Sequence, residues 1–161
     1  MQEIVVALGS NLGRPDLNVS RAMARLAQQF PEGFSASSIY RTDPVDMAAG
    51  ATDFANAVVV FQSLLAPETL LLMLQALEAE FGRPKDHGKN TARTLDLDLI
   101  AVGTQQLSTP ALTLPHPRVL DRRFVLQPLE EIEPFFRIPG VNETLRTLIQ
   151  RAPALDLDLW R

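Results

Sequence analysis

From Thr94 to Ile100 the chain reads TLDLDLI, an alternation of apolar residues with two acids. Period two is the signature of a β-strand that buries one face and leaves the other polar. The segment therefore predicts a half-buried strand in a sheet. Leu95, Leu97 and Leu99 are expected to anchor it in the core, while Asp96 and Asp98 point together from the other face. Alternate strand residues lie roughly 6.5–7 Å apart at Cα, so two carboxylates at this spacing can converge on a pair of divalent cations about 3.5–4 Å apart. Side by side without a positive charge between them, they would repel. The same alternation also describes the solvated face of an edge strand, and LDLDL recurs at Leu155 to Leu159. No basic or small-residue loop precedes that second copy, which is expected to be structural.

Composition narrows the chemistry. At 161 residues and 46% hydrophobic, the chain can bury one real core, and a single domain over residues 1–161 is expected. A net charge of −4 argues against a nucleic-acid or membrane-surface binder, so an anionic ligand would have to meet a local cluster of cations. The absence of cysteine removes disulfides, thiolate zinc sites and cysteine nucleophiles. With only His87 and His116, a histidine-rich metal site is excluded too, leaving oxygen ligands and a hard cation such as Mg²⁺. No stretch approaches the length of a membrane span and no basic region leads into a long apolar run at the start. A soluble, cytoplasmic protein is expected.

Ile4 to Leu8 is a nearly continuous apolar run, as in a central strand, and Gly9-Ser10-Asn11-Leu12-Gly13 is expected to break it. A helix starts near Pro15-Asp16 with Leu17, Ala24 and Leu26 among its inward positions. Ser35 to Thr42 reads as a strand. Asp46 to Asp53, rich in glycine and alanine, reads as a loop able to cover a pocket, and Asn56 to Gln62 resumes a β-branched strand. Pro67 and Glu68 open the clearest helix, with Leu70, Leu71, Leu74 and Leu77 inward and Gly82 ending it. Gln75 and Glu78 lie off its most apolar side, where solvation is the ordinary role of a polar residue.

Arg83 to Ala92 is a second loop, and Arg83, Lys85, His87, Lys89 and Arg93 concentrate positive charge immediately before the two acids. Cations for phosphate oxygens followed by carboxylates for Mg²⁺ is the combination phosphoryl-type transfer requires. After Gly103 comes a hairpin-like segment from Gln105 to Leu114. Pro115-His116-Pro117-Arg118 then fixes His116 between prolines, ahead of a short helix with Arg122 and Arg123. Pro128 to Ile132, the Pro139-Gly140 turn and a last helix capped by Asn142 follow.

Five blocks in order, ALGSNLG, YRTDPV, DFANAVV, ARTLDLDLI and LPHPR with RRFVLQPL, resemble the 6-hydroxymethyl-7,8-dihydropterin pyrophosphokinase family over nearly the whole chain. The resemblance implies a ferredoxin-like α+β sandwich with a mainly antiparallel sheet. It also implies transfer of the pyrophosphoryl group of ATP to the pterin hydroxymethyl oxygen, with release of AMP, in folate synthesis. Two Mg²⁺ ions are implied on Asp96 and Asp98, with Arg83 and Arg93 joining those acids in the catalytic set. Pterin contacts fall on Thr42, Pro44, Val45, Phe54, Asn56 and Phe124. ATP contacts fall on Gln75, Glu78, Arg83, Lys85, Arg93, Leu99, Thr113, His116 and Arg122. The expected partners are these two small substrates, with no nucleic acid and no membrane, and a monomer is expected. Asn90, Thr91 and Ala111 depart from residues some members carry, and Lys85 stands where others have arginine, which gives up bidentate geometry. Two other readings of the acid pair are a different two-metal phosphoryl transferase and an inactive pterin- or nucleotide-binding module.

Overall fold

The computed structural model describes residues 1–43, 53–82 and 94–160. Its first strand, β1 (Gln2–Ser10), is central, as its apolar run requires: it pairs antiparallel with β4 (Phe54–Ser63) on one side and β5 (Asp96–Val102) on the other. Between β1 and β4 the chain forms α1 (Pro15–Gln29) and two short strands, β2 (Ser35–Ala36) and β3 (Tyr40–Thr42), both on β4. Helix α2 (Pro67–Glu80) connects β4 to β5. A hairpin of β6 (Leu107–Ser108) and β7 (Thr113–Leu114), a 3₁₀ turn (Val119–Asp121), α3 (Arg123–Ile132), α4 (Leu145–Arg151) and β8 (Asp158–Leu159) complete the chain. The order β5-β1-β4-β3, with α1 and α2 as crossovers, is the ferredoxin-like α+β arrangement, and β8 extends it beyond β3.

Each sheet face has its own cover. Ile4, Val6, Leu8, Val59, Phe61, Leu97 and Leu99 pack with Leu26 of α1 and Leu70, Leu74 and Leu77 of α2. Phe30 stacks on Phe61 with ring centroids 4.4 Å apart. On the other face Val5, Ala7, Val58, Val60 and Ile100 meet Val125, Leu126 and Leu129 of α3 and Leu145 and Leu148 of α4. A fully buried leucine or valine contributes about 1.5–3 kcal/mol, so the long runs in β1 and β4 fix the register that carries the polar residues.

Several local expectations are corrected. β1 runs through Gly9 to Ser10, and the break comes after it, at Gly13, whose φ of 68° favours glycine. In α1 the buried stripe is Pro15, Val19, Ala22 and Leu26; Ala24 lies half a turn away from it and is exposed, and Leu17 is only half-buried. Leu71 of α2 is likewise half-buried. The strand expected over Ser35 to Thr42 is two strands, because the Ser37 hydroxyl, accepting the Val58 N–H at 2.9 Å, takes the place of a backbone partner. The last helix is capped by Thr144, whose hydroxyl accepts the Thr147 N–H at 3.2 Å, and not by Asn142. The expected loop from Asp46 lies outside the described residues apart from Asp53, as does the basic segment from Arg83 to Arg93.

Candidate active site

Directly opposed residues of neighbouring strands share a face. The register puts Asp96 opposite Gly9, Gly9 opposite Asn56, and Asn56 opposite Tyr40, while Asp98 lies opposite Ala7 and Ala7 opposite Val58. Asp96, Gly9 and Asn56 thus form one row across the sheet. The helices on this face cover Val58 and Val60 but leave the row at the sheet's end open. There a cavity of about 370 Å³ is lined by Thr42, Phe54 and Asn56 from β3 and β4, Asp96 and Asp98 from β5, and Arg122 and Phe124 from the start of α3. Seven residues expected to bind substrates or metal, drawn from four elements, line a single cavity.

Period two holds along β5: Leu95, Leu97 and Leu99 are buried and Asp96 and Asp98 half-buried. The β1–β5 register slips between Val5 and Val6, leaving Ile100 as an extra residue on β5. Its carbonyl accepts the His116 N–H at 2.8 Å, so the bulge brings the Pro-His-Pro segment alongside the acids. Glu78 adds a tether from α2: its Oε2 accepts the Leu97 N–H at 2.7 Å, between the two acids. This bond is a structural job, distinct from the nucleotide contact expected of Glu78.

Arg122 Nη1 donates to Asp98 Oδ2 at 3.1 Å, with both side chains partly buried, and its guanidinium lies 5.6 Å from the Phe124 ring centroid. His116 is neutral at physiological pH. Burial foremost, then the positive charge of Arg122, lowers its pKa to about 4 against the opposing pull of Asp96. Its Nδ1 accepts the Arg118 N–H at 3.2 Å, which puts the ring proton on Nε2, the tautomer that donates to an anion.

The amide is oriented from behind. Asn56 Nδ2 donates to Thr42 Oγ1 at 2.8 Å, both residues being buried. Its Oδ1 lies 3.5 Å from the point a Gly9 Cβ would occupy, so the acceptor faces across the glycine gap in the cavity floor.

Not every expected residue reaches the cavity wall. Gln75 is exposed on α2, Thr113 and His116 are half-buried beside β5, and the Leu99 side chain is buried on the opposite sheet face. Pro44, Val45, Arg83, Lys85 and Arg93 lie outside the described residues. Sequence reasoning missed Gly9, Arg118, Asp121, Arg123 and the segment Pro153 to Leu155 as lining residues. Arg118 and Arg123 stood in noted arginine-rich positions. The C-terminal segment gives no local signal, because it is placed by Arg123 donating to the Ala152 carbonyl at 3.0 Å and by β8 pairing with β3.

Two oxygen ligands on adjacent same-face positions suit a hard cation. No third acid or histidine joins them in a metal-holding group among the described residues. The pair fits Mg²⁺, which is usually held by one or two carboxylates with substrate phosphates and water completing the shell.

An antiparallel α+β sheet whose open end joins paired acids and an arginine to two aromatic rings and an oriented amide defines a class: a nucleotide-dependent group-transfer enzyme acting on a flat, polar acceptor. Residues 5–134 match the family described as 7,8-dihydro-6-hydroxymethylpterin-pyrophosphokinase, and the chain belongs to it. It is similar to the 2-amino-4-hydroxy-6-hydroxymethyldihydropteridine pyrophosphokinases of Pseudomonas aeruginosa, 39% identical over 86% of this chain and 85% of that one, and of Synechocystis, 39% identical over 95% and 82%. The fold is similar to that of Plasmodium falciparum HPPK-DHPS, with a TM-score of 0.70 at 13% identity; the match covers 93% of this chain and 43% of that longer one. The activity that follows from family membership is ATP-dependent pyrophosphate transfer to hydroxymethyldihydropterin in folate synthesis. Among the described residues, no helix is long and apolar enough to cross a membrane.

Proposed function

We propose that the cavity holds the pterin between Phe54 and Phe124, with its polar edge on Asn56 and the rim completed by Thr42, Pro44 and Val45. ATP lies along β5 and the Pro-His-Pro segment, meeting Arg122, His116, Thr113, the Leu99 backbone, Gln75 and Glu78, and Arg83, Lys85 and Arg93 supply the remaining ATP contacts. The observation that carries this reading is the meeting of Asp96 and Asp98 with Phe54, Asn56 and Phe124 in one cavity. A flat heteroaromatic ring gains from two apolar plates and an amide that satisfies its edge. Acids beside it have no such use unless a charged reaction happens there.

In the reaction the hydroxymethyl oxygen forms a bond to the β-phosphorus of ATP in line with the breaking bond to the bridging oxygen, which leaves on AMP; the hydroxyl proton passes to solvent. Two Mg²⁺ ions held by Asp96 and Asp98 would supply charge neutralisation on the phosphates. Arg122 screens Asp98 before substrate arrives and can turn to phosphate when the acids engage cations. Neutral His116 offers an Nε2 proton to a phosphate oxygen. Arg83 and Arg93 meet the charge developing on the leaving group. No covalent intermediate is required; positioning and electrostatics carry the rate. The protein acts as a cytoplasmic, single-domain monomer without nucleic-acid or membrane partners.

The test is incubation with ATP, Mg²⁺ and 6-hydroxymethyl-7,8-dihydropterin, with the nucleotide products resolved. AMP in equal amount to the pterin diphosphate is expected, and chelation of the metal abolishes it. ADP would identify ordinary kinase chemistry instead, and tight binding without turnover an inactive module.

A further inference from the structure

Phe124 and Glu131 are seven residues apart on α3, which places them on one side of the helix about two turns, or roughly 10 Å, from each other. Phe124 lines the cavity. At the other end, the Glu131 carboxylate accepts the Ser38 N–H at 3.0 and 3.1 Å, the Ser38 hydroxyl at 2.9 Å and the Tyr40 hydroxyl at 2.6 Å. Three donors on one carboxylate make a dense clamp, and hydrogen bonds to an ionised acceptor are the strong kind. Burial foremost, then the bond to Glu131, pushes the Tyr40 phenol up to about 12, so it remains a donor throughout the working range.

The clamp grips the strand that orients the amide. Tyr40 stands opposite Asn56 in the β3–β4 ladder, and two residues on, Thr42 accepts from Asn56 Nδ2. β3 has only three residues, so its ladder alone holds it weakly. Helix α3 needs an external hold as well. Pro128 sits inside it and has no N–H to give the Phe124 carbonyl, the bond that would stiffen the helix behind the aromatic wall.

We propose that Glu131 is a positioning residue for the flat acceptor, fixing the separation between the Phe124 wall on α3 and the Thr42–Asn56 edge on the sheet. This rests on the reading of the cavity as the pterin slot. Glu131 touches no substrate; it acts through Tyr40 and Ser38 on one wall and through its helix on the other.

Steady-state AMP formation by Glu131→Ala, Glu131→Gln, Tyr40→Phe and, as a reference for the slot itself, Phe124→Ala tests this, each substrate being varied in turn. Glu131→Ala is expected to raise KM for 6-hydroxymethyl-7,8-dihydropterin about tenfold, the equivalent of one charge-assisted hydrogen bond, while KM for ATP stays within about twofold. Tyr40→Phe, which deletes one hydroxyl and keeps the Ser38 bonds, gives about a threefold rise, and Glu131→Gln, which keeps an acceptor, recovers most of the loss. A merely structural role would lower thermal stability and leave the two KM values in their original ratio. If Phe124→Ala raises the pterin KM while Glu131→Ala and Tyr40→Phe leave it unchanged, the positioning role is overturned and the slot stands. If Phe124→Ala also leaves it unchanged, the slot reading itself has failed.

Discussion

The proposed slot gives Asn56 two jobs that can be measured separately. Its Nδ2 holds Thr42 Oγ1 at 2.8 Å in a site where the two residues are 5% and 4% exposed, and its Oδ1 is left to face the cavity. Asn56→Ala removes a buried hydrogen bond and strands the Thr42 hydroxyl. A net bond is worth about 0.5–1.5 kcal/mol and an unsatisfied buried group costs about 1–3 kcal/mol, so a loss of about 2–3 kcal/mol of folding stability is expected. Thr42→Ala strands one proton of an amide that can turn toward the cavity, and about 1–2 kcal/mol is expected. The double variant has lost both partners, and the coupling in the cycle should be about 1 kcal/mol. Binding reads the other half. Asn56→Ala removes the edge acceptor from the proposed slot, and about a hundredfold loss of pterin affinity is expected, near 2.7 kcal/mol. Thr42→Ala loosens the amide without deleting it and should cost about tenfold. Urea unfolding and direct titration with the pterin provide both axes. A variant set in which stability falls as stated but pterin affinity holds would falsify the second job and leave Asn56 a tether.

The two LDLDL copies are separable by substitution. Asp96→Ala and Asp98→Ala are expected to abolish turnover in folded protein, whereas Asp156→Ala and Asp158→Ala, at exposed positions, should leave kcat within about twofold; inactive Asp156→Ala would erase the distinction. For His116, whose folded pKa is lowered to about 4 from 6.5, the unfolded state binds more protons between those values, so its contribution to stability is present above pH 6.5 and is lost as pH falls toward 4. Its ring signal in a proton NMR titration, assigned by comparison with His87→Asn, should hold the neutral position down to about pH 5; a midpoint near 6.5 would refute the buried, cation-flanked placement.

What a sequence can reveal here follows the range of the interaction that decides each feature. The β5 alternation is local, so Leu95, Leu97 and Leu99 were legible as core and Asp96 and Asp98 as one face. The choice between a solvated edge and a site was not, because the cavity depends on Gly9 and Asn56 arriving from β1 and β4 in register. Thr42, Asn56, Phe54 and Phe124 were legible only through family resemblance; no local period marks an amide held by a threonine 14 residues away on the neighbouring strand. Asn142 and Thr144 are both competent caps, and the choice follows from where the helix starts: α4 begins at Leu145, directly after Thr144. Glu78 read as a solvated helix polar because its acceptor role needs the β5 backbone beside it.

The C-terminal residues impose a division of labour on the sheet. β8 pairs with β3 for two residues, the Trp160 backbone N–H donates to the Ile39 carbonyl at 2.9 Å, and Arg41 lies over the Trp160 ring at 4.3 Å. This short latch closes the outer side of β3, while Asp96 and Asp98 ride on a seven-residue strand paired along the central one. Local opening by release of the latch therefore costs far less than opening at β5. Amide hydrogens on β3 should exchange ahead of those on β5, and changes in the tail can shift the Thr42 side of the cavity while Asp96 and Asp98 stay where they are.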